Sequence, residues 1–76
     1  MSIHAIREIF QNSAKEPIRC IAARMRYTDD RKAQILEFDI VQGGKQKTII
    51  SDPIPHGQSL HAAAAKIAAD AVAAGQ

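Results

Sequence analysis

Ile3, Ile6, Ile9 and Phe10 recur at spacings of three and four, which draws one apolar stripe along a helix. Ser2 stands where an N-cap belongs. The stripe fades after Phe10, and Pro17 disfavours helical geometry at Glu16, so the pattern predicts a helix over roughly residues 3–14. From Ile18 the period changes to two. In residues 18–27, Ile21, Ala23, Met25 and Tyr27 alternate with Cys20, Ala22, Arg24 and Arg26. In residues 35–42, Leu36, Phe38 and Ile40 alternate with Ile35, Glu37, Asp39 and Val41. Both segments read as strands with one covered and one open face.

The polar run at residues 28–33 has the length of a hairpin connection. Pairing Thr28 with Ala33 sets Met25 against Leu36, Ala23 against Phe38 and Ile21 against Ile40 on the covered face. The same register brings Arg24 opposite Glu37 and Ala22 opposite Asp39 on the open face, so apolar and charged positions agree on one alignment. Gly43-Gly44 is a two-residue hairpin turn, because both positions call for positive φ. It leads into a third strand over residues 45–51, with Ile49 opposite Phe38 and Ile50 outside, an order that a bulge would swap. Asp52, Pro53 and Pro55 then end the strand as a stiff connection.

Residues 59–74 form an alanine-rich helix with Ser59 as its cap and Gly75 as its stop. Leu60, Ala64, Ile67 and Ala71 make its inner stripe, with Val72 at the edge. The expected fold is therefore α+β, in the order α-β-β-β-α. A three-stranded antiparallel sheet carries two helices on one face, in a single domain over residues 1–76.

Length and composition narrow what such a domain does. A chain of 76 residues buries only about 60% of the surface it exposes unfolded, which leaves a thin core and little room for a catalytic cleft. Its lone cysteine, Cys20, excludes an internal disulfide framework. There is no apolar run long enough for a membrane span, and the first ten residues lack the features of a signal peptide, so the expectation is cytoplasmic. Ten Lys plus Arg against eight Asp plus Glu gives +2, an excess that permits nucleic-acid binding without demanding it. His56 and His61, five apart, do not share a helix face, and neither a cysteine pair nor an acidic cluster accompanies them. No metal, cofactor or nucleophile–base pattern emerges, and the expectation is a protein that is not an enzyme.

The order and spacing resemble a double-stranded RNA-binding domain over nearly the whole chain. The residues that carry the likeness are His4-Ala5-Ile6-Arg7-Glu8-Ile9-Phe10 in the first helix, Leu36 to Gly44 in the second strand and its turn, and Ala63-Ala64-Ala65-Lys66 in the last helix. The resemblance implies duplex-RNA recognition by the first helix, the turn between strands 1 and 2, and the start of the second helix, where Lys66 matches a basic position. In the family that turn usually carries Gly-Pro and a groove-entering histidine; here the matching positions are Asp29, Asp30 and Lys32. The family's lysines at the second helix are replaced by Gly57, Gln58 and His61.

Elementary chemistry gives the same regions independent content. Reading A-form RNA takes polar groups for 2′-hydroxyls and cations for phosphates. His4 and Glu8 lie one helical turn apart, away from Ile3, Ile6 and Phe10, placed to donate and accept at ribose. Arg31 and Lys32 sit at a hairpin tip, and Gln58 and His61 sit at a helix N-terminus suited to a phosphate. The plainer readings are a solvated helix face and a solubilising turn balanced by Asp29 and Asp30. Arg24 and Arg26 pair more naturally with Glu37 than with phosphate. The competing expectation keeps the fold and changes the partner, to a protein or a second copy. It is a dimeric adaptor or inhibitor, of the kind small phage or accessory genes encode, docking through the open sheet face beside Ile35, Val41 and Ile50 or through the alanine-rich helix.

Overall fold

A computed structural model describes residues 2–74 and has the expected order. Helix α1 (Ile3–Ala14) and strands β1 (Arg19–Tyr27), β2 (Ala33–Gln42) and β3 (Lys45–Ile50) come first. A two-residue strand β4 (Ile54–Pro55) and helix α2 (Leu60–Ala74) follow. Ser2 caps α1, its Oγ accepting from the Ala5 N–H at 3.2 Å, and Ile6, Phe10 and Ala14 are buried at the four-residue spacing of one face. Ser59 caps α2 in the same way, through the Ala62 N–H at 3.1 Å. Gly75 lies outside the described residues.

The sheet is antiparallel, in the order β1-β2-β3. The central strand supplies Leu36, Phe38 and Ile40, all fully buried, and Phe38 stacks on Phe10 of α1 with ring centroids 4.3 Å apart. Both helices feed this one core, since Leu60, Ala64 and Ala68 of α2 join the same cluster. Alanine lets α2 lie close to α1, and the buried row runs through Ala68 while Ile67 is half-buried beside it. Gly43 and Gly44 have φ of 60° and 75°, which the reversal at Gln42–Lys45 needs. Ile49 falls opposite Phe38, and Ile50 points outward opposite Glu37 at 58% exposure, as the strict two-residue turn requires.

The first hairpin follows the expected register from Tyr27 back to Ala22 and then departs from it. A bulge between Cys20 and Ala22 sets Cys20, in place of Ile21, opposite Ile40. The extra residue swaps the faces, so Cys20 enters the core and Ile21 is 43% exposed. Met25 and Tyr27, expected on the covered face, are 41% and 50% exposed. They lie on the covered side of the pleat but on an edge strand, where the helices do not roof the sheet.

The end of the third strand also differs. Ser51 breaks the ladder by donating its N–H to the Leu36 carbonyl at 2.8 Å while its Oγ accepts from the Leu36 N–H at 2.9 Å. Pairing then resumes, with Ile54 opposite Gln34 and Pro55 opposite Ala33, so the proline segment interrupts the strand and does not end it. On the open face Ile35 and Val41 are half-buried beside their cross-strand neighbours Arg26 and Arg19, while Ile50 is exposed.

Candidate nucleic-acid interface

The connections decide what meets at each end of the sheet. The β1–β2 turn is held from inside. Asp30 Oδ1 accepts from the Thr28 hydroxyl at 2.6 Å and from the Lys32 N–H at 3.0 Å, and the Arg31 N–H reaches the Thr28 carbonyl at 2.9 Å. These donors hold the Asp30 carboxyl below its ordinary value, the Thr28 hydroxyl first and the Lys32 N–H second. Arg31 adopts a φ of 59°, and its carbonyl is hydrogen-bonded to His56 Nε2 at 2.9 Å. An imidazole facing a carbonyl must donate, so His56 carries its proton on Nε2.

That bond ties the turn to the segment leading into α2. A second junction lies between the two helices, where Ser2, Ile3 and Ile6 of the α1 start share a hollow of about 250 Å³ with Leu60, Met25, Tyr27 and Gln34. The start of α1, the β1–β2 turn and the start of α2 therefore gather at one end of the molecule.

His4, Glu8, Arg31, Lys32, Gln58 and His61 are exposed on these three elements. His4 Nε2 donates to Glu8 Oε1 at 3.0 Å, which joins the proposed ribose-contacting pair to each other. Gln58 lines a groove between α2 and the β3–β4 connection together with Asp52, Lys66 and Asp70. Lys66 is ion-paired to Asp70 at 3.0 Å one turn on. At 3.6 residues per turn, His61 and Lys66 stand about 140° apart around α2, so they do not form one basic ridge. His61 lies beside the buried Leu60–Ala64–Ala68 row, and Lys66 lies on the face of α2 away from it.

Charge is distributed against expectation. At the β1–β2 turn Arg31 and Lys32 are matched by Asp29 and Asp30, and along α2 Lys66 is matched by Asp70. Arg19, Lys45 and Lys47 are on strand segments flanking the β2–β3 turn at the opposite end, near Lys15 at the close of α1. On the open face Arg24 forms a two-pronged contact with Asp39 at 2.8 and 2.9 Å and reaches Glu37 at 3.2 Å. Arg26 Nε contacts Glu37 at 3.0 Å, and the Thr48 hydroxyl donates to Asp39 at 2.8 Å.

Arg24, then Thr48, hold the Asp39 carboxyl at about 2, and Arg26, then Arg24, lower that of Glu37. Asp39 and then Glu37 raise the Arg24 guanidinium in turn. Burial pushes the Cys20 thiol up, partly offset by its bond to the Ala22 carbonyl, so it is a protonated core side chain at neutral pH.

Two residues in this arrangement were silent in the sequence. Gln11 Nε2 donates to the Ile18 carbonyl at 2.9 Å, and its Oε1 accepts from the Cys20 N–H at 2.7 Å, which clamps α1 to the start of β1. His56, considered above only as a metal ligand, instead braces the turn. No helix of the described residues is long and apolar enough to cross a membrane. No family model, curated protein or solved structure matches the chain.

Proposed function

We propose that this chain is a non-catalytic binding domain that recognises structured RNA by shape, using the end where α1, the β1–β2 turn and α2 meet. The observation that carries this reading is that junction, with His56 bound to Arg31 at 2.9 Å and Ser2, Ile3 and Leu60 around one hollow. The resemblance drawn from the sequence supports the same end. His4, Glu8, Gln58 and His61 provide donors and acceptors for 2′-hydroxyls, and Arg31 and Lys32 provide the cations. With Lys66 held by Asp70, about two phosphates are neutralised, so log K falls with log salt with a slope of roughly −2. Replacing Arg31 and Lys32 together with glutamate tests this: binding to RNA duplexes of any sequence is lost. Unchanged affinity removes the turn from the interface.

A second reading is supported by the open face, where Ile50, at 58% exposure, stands beside charges already neutralised within the chain. Such a face suits self-association. Light scattering then gives twice the monomer mass, and Val41→Lys returns it to monomer. A monomer at high concentration in the unaltered protein rules this reading out.

A further inference from the structure

We infer that the free edge of β1 is a docking site for an extended protein segment in which acidic and apolar side chains alternate. This lies beyond the RNA reading: it adds the backbone edge of β1 and shares with that reading only the hollow between the starts of the two helices. In an antiparallel ladder, successive residues direct their backbone groups alternately toward and away from the neighbouring strand. The Thr28 N–H bonds the Ala33 carbonyl, and Leu36 directs both its backbone groups to Ser51 on the other side of β2. With Arg26 opposite Ile35 and Arg24 opposite Glu37, the residues bonded to β2 are Ala22, Arg24 and Arg26. Ala23, Met25 and Tyr27 therefore turn their N–H and C=O groups outward along the edge. Nearer the start of the strand, Gln11 caps the edge by bonding the Ile18 carbonyl and the Cys20 N–H with its own amide, as an added strand would. Beyond the bulge the edge is open.

Side chains define what fits. On the helix side, Met25 and Tyr27 border the hollow completed by Ile3, Ile6 and Leu60. At about 250 Å³ it lies below the range of small-molecule pockets, roughly 300–1,000 Å³, and suits a single aliphatic side chain. On the other side, Arg24 and Arg26 lie next to the added strand. Arg26 commits only its Nε to Glu37, so its Nη groups remain for an incoming carboxylate.

A second copy of β1 is the wrong occupant. With the edge capped as far as Cys20, two-fold pairing centres on Met25 and sets Arg24 opposite the partner's Arg26 twice, and like charges directly opposed are destabilising. An acidic–apolar strand instead gains main-chain bonds along the edge and side-chain selection on both faces.

The test uses the full chain and a synthetic nine-residue peptide alternating glutamate with leucine and valine. A twin with lysine for glutamate and a twin N-methylated at alternate residues serve as comparisons. The glutamate peptide binds and slows amide exchange at Ala23, Met25 and Tyr27, while Ala22, Arg24 and Arg26, already bonded to β2, change little. The lysine twin binds about fivefold more weakly, because a lysine then faces Arg26 where the glutamate had paired with it. The N-methylated twin does not bind. Met25→Pro, which removes an outward donor and one wall of the hollow but no bond to β2, abolishes binding with the fold intact.

Equal binding of the glutamate and lysine peptides, or no slowing at the three outward amides, overturns the proposal. So does protection of those amides in the protein alone, because a second copy would then hold the edge.

Discussion

Replacing Gln11 with alanine tests how the start of β1 is held. Its amide is the sole side-chain link from α1 to the backbone of that segment among the described residues, with bonds of 2.9 Å to the Ile18 carbonyl and 2.7 Å to the Cys20 N–H. Both are partly buried, so truncation leaves one donor and one acceptor poorly satisfied, at about 1–1.5 kcal/mol each. The total, about 2–3 kcal/mol, is a large share of the roughly 3–5 kcal/mol that a core this small supplies. For 76 residues the entropy of unfolding converts this to a fall in Tm of about 12–18 °C. Urea titration read by far-ultraviolet circular dichroism, with an unchanged slope, measures it directly.

Gln11→Glu separates lost bonds from lost helix packing. The carboxylate still accepts from Cys20 but faces the Ile18 carbonyl with a second oxygen, so the folded state raises its pKa. Relative to the unaltered protein at each pH, Gln11→Glu is weakest at neutrality and recovers as the group protonates and regains a donor. A loss below about 0.5 kcal/mol for Gln11→Ala, or no recovery of Gln11→Glu in acid, refutes the clamp.

Three further outcomes follow from the same geometry. Asp39 and Glu37 have depressed folded-state pKa values, so their contribution is present above their ordinary values of 3.8 and 4.5 and is lost as pH falls toward about 2. Asp39→Asn should flatten the stability profile between about pH 5 and 2, and an unchanged acid slope would exclude this network as its source. Gly44→Ala meets no atom within 4 Å but takes a φ of 75°, so it costs about 1–2 kcal/mol by backbone strain alone, measured by urea titration. Ile50→Lys changes monomer stability by less than about 0.5 kcal/mol; a larger loss would show that the open face is covered in solution.

The sequence carried the fold wherever a periodic pattern had no competitor. The β1–β2 register from Ala22 to Tyr27 was legible because apolar and charged pairs specified one alignment. It failed at Ile21 because a bulge has no signature in the alternation: Cys20 and Ile21 are both apolar, and either suits the core. Exposure of Met25 and Tyr27 was hidden for another reason. Periodicity reports which side of the pleat a residue takes, but not how far the helices extend over it.

The candidate interface was legible by region, since capping signals and turn residues located α1, the turn and α2. Its hydrogen bonds were not. His56 reaches Arg31 across 25 positions, and Gln11 reaches back from a helix to a strand, so neither leaves a local motif. The pairing of His4 with Glu8 and of Lys66 with Asp70 was readable from their i,i+4 spacing alone.

Fluorescence anisotropy with an RNA duplex of about 20 base pairs, long enough for a duplex reader spanning about 16, decides whether this domain recognises RNA by shape. Matched DNA duplex and single-stranded RNA are measured beside it, at about 50 and 200 mM salt. Shape recognition through the turn predicts preference for the RNA duplex, a salt slope of roughly −2, and loss of binding when Arg31 and Lys32 become glutamate. Equal affinity for the three nucleic acids, or no binding at tens of micromolar protein in the lower salt, would contradict it.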